Sequence, residues 1–464
     1  LNPCLSIHSR FLDFVERNPE CLFAEAFGFK GRLADFSPYP LQPWPVLISD
    51  HEVAELARTA LTITQLIRQI PRRFFGNDAG RLAKFYGMTL REATGMVMIL
   101  NGVDCFSDAL VRTDLLLSAD GFQCLEINAS NLGGWMNSAW GREYLDEPLI
   151  QRFFREEGLS AVHQDTVRIV FRNAVQSARR RLREIEGEVN LAIVMPDDRV
   201  LMESWQRLAR ERYAAALEEE EVTGELWFCQ YSDLSEQGLR LHYRGRRVHA
   251  ILEQCWGFAP LQVIFSWIDR GVVLFNGPTS RFLSDKRNLA LVSEACDSEF
   301  LSPEEKAFVE SHVPWTRVLG RKKVGHEGQT MDLETLVAGR REDFVIKPAG
   351  GAEGTGVLVG RFTPEREWRD ALQRGLGGQG WLVQRYVAGV QPLYQSGERG
   401  SQPHDLIWGV FVAGEHYGGC FMRLAPPGHG GVINSARGAK EAALLEVSSL
   451  EKIKYEASEE RASQ

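Results

Sequence analysis

Basic residues are outnumbered in this chain. Lys and Arg total 53 against 62 Asp and Glu, a formal net charge of −9, so no general basic surface is implied and nucleic acid is not expected as a main partner. No run approaches the roughly 18 apolar residues that a membrane-spanning helix needs, so no membrane segment is expected either. The eight cysteines, Cys4, Cys21, Cys105, Cys124, Cys229, Cys255, Cys296 and Cys420, include no pair at C-x-x-C spacing. That argues against a zinc site or a dithiol redox motif and for reduced, mostly buried thiols. No charged-then-apolar leader opens the sequence, which makes a cytoplasmic location the expectation. There is no internal repeat and no G-x-x-x-x-G-K-[ST] phosphate loop.

What is present is an ordinary globular composition, 44% hydrophobic and 25% charged over 464 residues, with length for roughly three domain-sized units. Residues 1–48 read as irregular, kept extended by Pro38, Pro40, Pro43 and Pro45. Apolar residues at helical spacing predict an amphipathic helix over 51–70, capped at Ser49 or Asp50 and ended by Pro71. Further helices are expected over 80–100, 138–157 and 165–185. From 189 onward strand and helix alternate: strands at 189–195, 226–230 and 272–276, helices at 202–217 and 260–268, and a hairpin at 238–252. Such alternation implies a small α/β layer with a mostly parallel sheet. A linker is expected at 321–328 and a frayed, charged tail after Glu451.

Two stretches carry chemistry. The first, 112–134, reads as a β-hairpin with its turn at Ala119-Asp120-Gly121. Arg112 and Asp114 share one face of the first strand, Glu126 and Asn128 one face of the second, and both pairs fall at the end away from the turn. Two carboxylates and an amide oxygen suit Mg²⁺, and the guanidinium beside them suits a phosphate or carboxylate. A solvated hairpin end with a surface salt bridge is the alternative.

The second stretch runs from 344 to 359. A strand ending in Lys347-Pro348 leads into Gly350-Gly351-Ala352-Glu353-Gly354-Thr355-Gly356 and a second strand. Glycines let backbone N–H groups close over a polyphosphate, and Lys347 puts an ammonium at the mouth of the loop. A plain hairpin turn is the other reading. A helix at 364–376 and strands at 381–387, 406–412 and 417–422 follow.

The run FVIKPAGGAEGTGV, with WLVQRYV after it, resembles the lysine, glycine-rich loop and adenine-hinge strand of the ATP-grasp family. In that family the metal ligands normally follow the hinge, whereas RTD…LEIN precedes it here. This order is similar to that of the circularly permuted ATP-grasp enzymes, and the Arg-x-Asp…Glu-x-Asn spacing is like that of glutathionylspermidine synthetase-type amide ligases. The resemblance covers motifs from 112 to 438. It implies an α+β, circularly permuted ATP-grasp-like fold with an additional small α/β layer. Its parts would be 1–160 with the metal-binding hairpin, 161–280 as the α/β substrate layer, 281–400 as the subdomain with the glycine-rich loop, 401–450 as the remaining strands and 451–464 as a tail.

Carried over residue by residue, the resemblance makes Asp114, Glu126 and Asn128 ligands of Mg²⁺ and sets Arg112 against the transferred phosphoryl and acyl groups. Lys286 and Lys347, with Gly350, Gly351, Gly354, Thr355 and Gly356, would hold ATP, Lys322 or Lys323 being alternatives to Lys286. Gln384, Arg385, Tyr386 and Val387 would present backbone groups to the adenine, and Arg423 and Asn434 would come from the returning strands. The implied activity is ATP- and Mg²⁺-dependent carboxylate-amine ligation, joining a small carboxylate such as an amino acid or peptide to an amine through an acyl phosphate. A kinase that makes no amide and a nucleotide-binding scaffold without catalysis are the alternatives. His404 beside Asp405 is read as a loop histidine, and Trp135, Trp140 and Trp256 as packing residues.

Overall fold

The computed structural model describes residues 5–18, 39–42, 44–102, 109–129, 132–135, 141–185, 187–196, 203–254, 259–275, 279–351, 353–378, 380–395, 401–428 and 430–449. The expectations for Trp140, Trp256, the chain after 449 and most of 1–48 lie outside them. The largest sheet has seven strands. Val46–Ser49, Lys440–Ser449, His416–Ala425, Asp405–Ala413, Leu110–Ser118 and Gly121–Asn128 lie side by side in that order, and Leu159–Val162 also pairs with Lys440–Ser449.

One face of this sheet is apolar because the helix Asp50–Arg68 lies across it. Ser49 starts that helix with a capping box: its Oγ accepts from Glu52 N at 3.4 Å while its own N donates to Glu52 Oε2 at 2.8 Å. Leu56, Ala60, Ile63 and Ile67 then pack with Val111, Leu115, Leu117, Val410 and Met422 of the sheet. Pro71 sits at the start of a short second helix, Ile70–Phe75, where its missing N–H costs nothing. The expected helix over 80–100 is two, Ala79–Tyr86 and Leu90–Gly102, parted at Gly87, whose φ is 64°.

The opposite face carries the charged residues of the opening hairpin, and strict alternation would not have put them there. Phe122, Cys124, Glu126 and Asn128 are each two apart, so a regular strand points all four the same way. The register instead runs Leu115 to Cys124 and then Asp114 to Glu126, leaving Leu125 as an extra residue. This bulge reverses the parity beyond it. Phe122, Cys124 and Ile127 therefore join the apolar core, while Glu126 and Asn128 stand opposite Asp114 and Arg112 on the other face.

A second sheet is wholly parallel: Val273–Phe275, Ala250–Glu253, Leu191–Val194 and Leu226–Cys229 are neighbours in that order. Helices Thr166–Arg181 and Glu203–Glu219 cover one side, in a core that also takes in Leu110, Phe411 and Phe421 of the large sheet. Leu261–Ile268 covers the other side. The hairpin expected over 238–252 ends at Val248, as part of a three-stranded meander. Ala250–Glu253 leaves it for the middle of the parallel sheet, since its residues are buried on both faces.

The third sheet is antiparallel, ordered Thr316–Val318, Trp381–Arg385, Phe344–Pro348 and Leu358–Val359. Phe344 and Ile346 face its core with Trp368 and Val383, which turns Val345 and Lys347 to the other side. The stretch 321–328 is no linker: Lys323–His326 and Gln329–Asp332 form a hairpin around Glu327 and Gly328, with φ of 50° and 77°. The helix expected over 138–157 is likewise divided, into Gly141–Leu145 and Pro148–Glu157. Among the described residues no helix is long and apolar enough to cross a membrane.

Deleting Leu125 removes the bulge and returns Glu126 and Asn128 to the face of Phe122 and Cys124. An unpartnered carboxylate forced into an apolar core costs several kcal/mol. The deletion variant is therefore expected to lose about 3 kcal/mol or more in urea unfolding, or not to fold, and parental stability would show that the bulge does not set the parity.

Candidate active site

Arg112, Asp114 and Arg423 form a buried ion cluster on the charged face of the large sheet. Arg112 donates Nε to Asp114 Oδ1 at 2.8 Å and Nη2 to Oδ2 at 3.2 Å, and its Nη1 reaches Gly133 O at 2.8 Å. Arg423 Nη2 lies 2.7 Å from Asp114 Oδ2. That contact is an ion pair, since neither Nε nor Nη2 of Arg423 makes a directed hydrogen bond. Both guanidinium carbons stand over the ring of Phe421, at 5.6 and 5.5 Å. A Cβ at Gly409 would come within 2.8 Å of that ring and 3.1 Å of Arg112 Cδ, so only glycine leaves room for this stack.

Burial by itself would raise the Asp114 carboxyl, but the charges of Arg112 and Arg423 outweigh it and hold the group well below the usual carboxylate range. For Arg112 burial is outweighed by Asp114, then Glu126 and Glu441, and its pKa goes up. Asn128 Nδ2 also donates to Asp114 Oδ2 at 3.2 Å and approaches Glu126 Oε1 at 3.4 Å. Three hydrogen bonds and one ion pair thus converge on the two oxygens of Asp114. As folded, Asp114 is the counter-ion of both arginines.

Glu126 is a quarter exposed, and its Oε2 is 3.5 Å from Lys286 Nζ. Asn128 presents Nδ2 to the carboxylates, leaving Oδ1 on the far side of the amide. Among the described residues no group of three or more His, Cys, Asp or Glu clusters as a metal site. Glu126 and Asn128 together still fit Mg²⁺, which takes one or two protein oxygens and fills its shell with substrate phosphates and water.

Both lysines reach this hairpin from far along the chain. Lys286 donates to Gly351 O at 3.0 Å, and its backbone N to Ala349 O at 3.0 Å. Lys322 pairs with Glu294 at 2.6 Å and Lys323 is exposed on its own hairpin, so it is Lys286 that adjoins the glycine-rich loop. Lys347 is buried and donates to Gln384 Oε1 at 2.6 Å and to Leu125 O, the carbonyl at the bulge, at 3.1 Å. Burial pushes its pKa down to about 8, Glu126 opposing and Lys286 adding to the shift.

In the loop Gly350 and Gly351 have open space where a Cβ would stand, whereas a Cβ at Gly354, φ 68°, would come 2.5 Å from Val432 Cγ1. Thr355 and Gly356 are exposed. The expected adenine hinge is partly committed elsewhere. Gln384 pairs with Thr316 on one side and Val345 on the other, Arg385 N donates to Trp315 O at 2.8 Å and Tyr386 N to Asp343 O at 2.7 Å. Val387 lies beyond the strand. Asn434 Oδ1 caps a 3₁₀ turn by accepting from Ala436 N at 2.9 Å. His404 lies between the strands Ser401–Pro403 and Asp405–Ala413, as a loop histidine that is buried, with Nδ1 2.9 Å from Gln402 O. Trp135 packs edge-on against Phe171.

Sequence reading missed Phe421, Thr316, Arg437 and Glu441. Thr316 Oγ1 accepts from Gln384 Nε2 at 3.1 Å and so orients the amide that holds Lys347. Glu441, buried beside the arginines, sits in a run of helix-forming residues, and no local signal marked it.

Lys347 binds fewer protons folded than unfolded between its native pKa of about 8 and the ordinary lysine value of about 10.4. Stability contributed by this group therefore rises with pH across that window, because the penalty of burying the ammonium, present in full below it, is relieved above. Urea unfolding of the parent and of Lys347→Met between pH 7.5 and 10 should show the difference moving in the parent's favour. A difference that is flat or of opposite sign would mean that the ammonium is hydrated.

No family model matches the chain, and no curated protein matches it in sequence. Among solved structures it is similar to a glutathione synthetase-like effector from Globodera pallida in its apo form, with a TM-score of 0.54 at 9% identity over 94% of this chain and 97% of that one. A Methylobacillus flagellatus KT protein provisionally named gamma-glutamylcysteine synthetase gives a TM-score of 0.40 at 12% identity, covering 83% of this chain and 88% of its own, too low to bear on the fold. The first likeness spans nearly the whole of both chains and is one of fold: this chain has the mixed α/β fold of a glutathione synthetase-like protein.

Proposed function

We propose that the chain is an ATP- and Mg²⁺-dependent carboxylate-amine ligase, which forms an amide through an acyl phosphate and releases ADP and phosphate. The observation that carries this reading is a convergence. Lys347 touches Leu125 O and Lys286 lies beside Glu126, so the glycine-rich loop and the opening hairpin share one site although the whole parallel sheet lies between them in sequence. The order of the two motifs is like that of the circularly permuted ATP-grasp enzymes, which supports the reading.

A carboxylate and a γ-phosphate repel each other, so joining them needs fixed cations that withdraw charge and hold the pair in line. Lys286 and Lys347 bind the phosphates from one side, and the loop 350–356 lies over them and excludes water that would hydrolyse the acyl phosphate. Arg112 and Arg423, fixed by Asp114 and by Phe421, offer their outer N–H groups to the carboxylate and the phosphoryl oxygens. Mg²⁺ on Glu126 and Asn128 would supply further charge withdrawal at the phosphates. Val387 and the residues after it would meet the adenine edge. The amine then attacks the acyl carbon, and phosphate leaves.

Anion binding to Lys347 restores its full charge, so nucleotide binding near pH 8.5 takes up a proton. The substrates suited to the site are small carboxylates, such as an amino acid or peptide, and a small amine. Supplied with Mg²⁺-ATP and mixtures of these, the parent should form ADP, and ¹⁸O from the labelled carboxylic acid should appear in phosphate. AMP and pyrophosphate would sink the acyl phosphate, and a stable phosphorylated product formed without amine would identify a kinase. Glu126→Gln, which keeps the shape and removes the charge, should lower turnover by roughly two to three orders of magnitude while the fold persists.

A further inference from the structure

One buried carboxylate beside the arginines has no part in that chemistry. Glu441 is the register partner of Arg423 across the antiparallel strands, so the two side chains leave the same face of the sheet about 5 Å apart. It is 2% exposed, and its charge also supports the guanidinium of Arg112. Its Oε1 accepts from Ser435 Oγ at 2.6 Å.

Ser435 opens a tight 3₁₀ turn. Asn434 caps it, Gly438 N donates to Ser435 O at 3.0 Å, Ala439 N donates to Asn434 O at 3.1 Å, and Gly438, φ 92°, lets the chain turn back into the strand of Glu441. The far side of this turn meets the glycine-rich loop. Arg437 Nη2 donates to Gly354 O at 3.0 Å, and Val432, just ahead of the turn, fills the space above Gly354. A continuous line therefore runs from the arginine pair through Glu441, Ser435 and Arg437 to the loop.

We propose that Glu441 is a positioning residue: through Ser435 it anchors the turn on which the glycine-rich loop leans, and so holds the loop and the arginine pair at one spacing. A hydrogen bond to an ionised acceptor is among the stronger single contacts available for such a tether. Lys286 holds the start of the loop, through Gly351 O, and the turn holds its Gly354 end, where glycine leaves the backbone free to move. What the loop covers rests on the ligase reading, whereas the tether does not.

The test is hydrogen exchange by mass spectrometry in the full chain without nucleotide, following peptides across 345–360. Ser435→Ala keeps the charge and removes the tether, and exchange there should accelerate about tenfold. Glu441→Ala should do the same, and Glu441→Gln, which keeps an acceptor at Oε1, should stay within about threefold of the parent. Peptides across the Glu327–Gly328 turn, which is remote from the tether in sequence, should be unaffected. Parental exchange in Ser435→Ala overturns the proposal even if Glu441→Ala fails to fold, and equal acceleration at both loops overturns it by making the effect global. Calorimetry with Mg²⁺-ATP separates the two readings: Ser435→Ala should bind about tenfold more weakly than the parent, whereas a parent that binds no Mg²⁺-ATP removes the ligase reading and leaves the exchange result to judge the tether.

Discussion

Two guanidinium groups share one buried carboxylate in this protein, and the site depends on that arrangement. Arg112 and Arg423 come from strands separated by Asp405–Ala413, and like charges so close are tolerable away from water only because Asp114 lies between them. Removing one partner from such a cluster leaves an uncompensated buried charge, at a cost of about 3–5 kcal/mol. The pair is therefore bound to the sheet, and with it the position of any anion that the arginines receive. Gly409 and Phe421 serve the same constraint, one by taking no space and the other by offering a ring to both cations.

The bulge at Leu125 connects this cluster to the lysines. It turns Glu126 and Asn128 out of the core, and its carbonyl becomes an acceptor for the buried ammonium of Lys347. That lysine is otherwise held by a neutral amide, Gln384, which Thr316 orients in turn. An ammonium kept by neutral oxygens in a dry place gives up its proton more readily, whereas one facing a triphosphate would keep it. Lys286 spans the remaining gap between Glu126 and the glycine-rich loop. Glu126 thus stands between Lys286 and the amide of Asn128 that also reaches Asp114, while Lys347 is held by neutral oxygens.

Much of this was legible in the sequence because its signals are local. The hairpin at 112–128 follows from its turn and flanking apolar runs, the helix Asp50–Arg68 from its Ser49 and Glu52 cap, and the parallel strands from compact apolar runs between helices. The strand Lys440–Ser449 was not legible: Lys-Glu-Ala-Ala-Leu-Leu-Glu is helix-forming by propensity, and only neighbours on both sides hold it extended. The meander before Ala250–Glu253 misled for a related reason, since strand pairing over long distance leaves no mark in a short window.

By itself the sequence determined which residue types stand two apart on the hairpin and where the glycine-rich loop and its lysine fall. Tertiary structure alone decided what those residues face. Periodicity assigns Glu126 to the side of Cys124, and the bulge reverses it. Spacing set Asp114 beside Glu126 as an equal carboxylate, and only the approach of Arg423 from a distant strand gave Asp114 a second guanidinium partner. Lys286 and Lys347 met the hairpin only because the third sheet and the segment of Lys286 fold against the large sheet. Side-chain direction along one strand is a local property of the backbone, whereas the charge that a buried group meets is set by whichever strand the fold lays beside it.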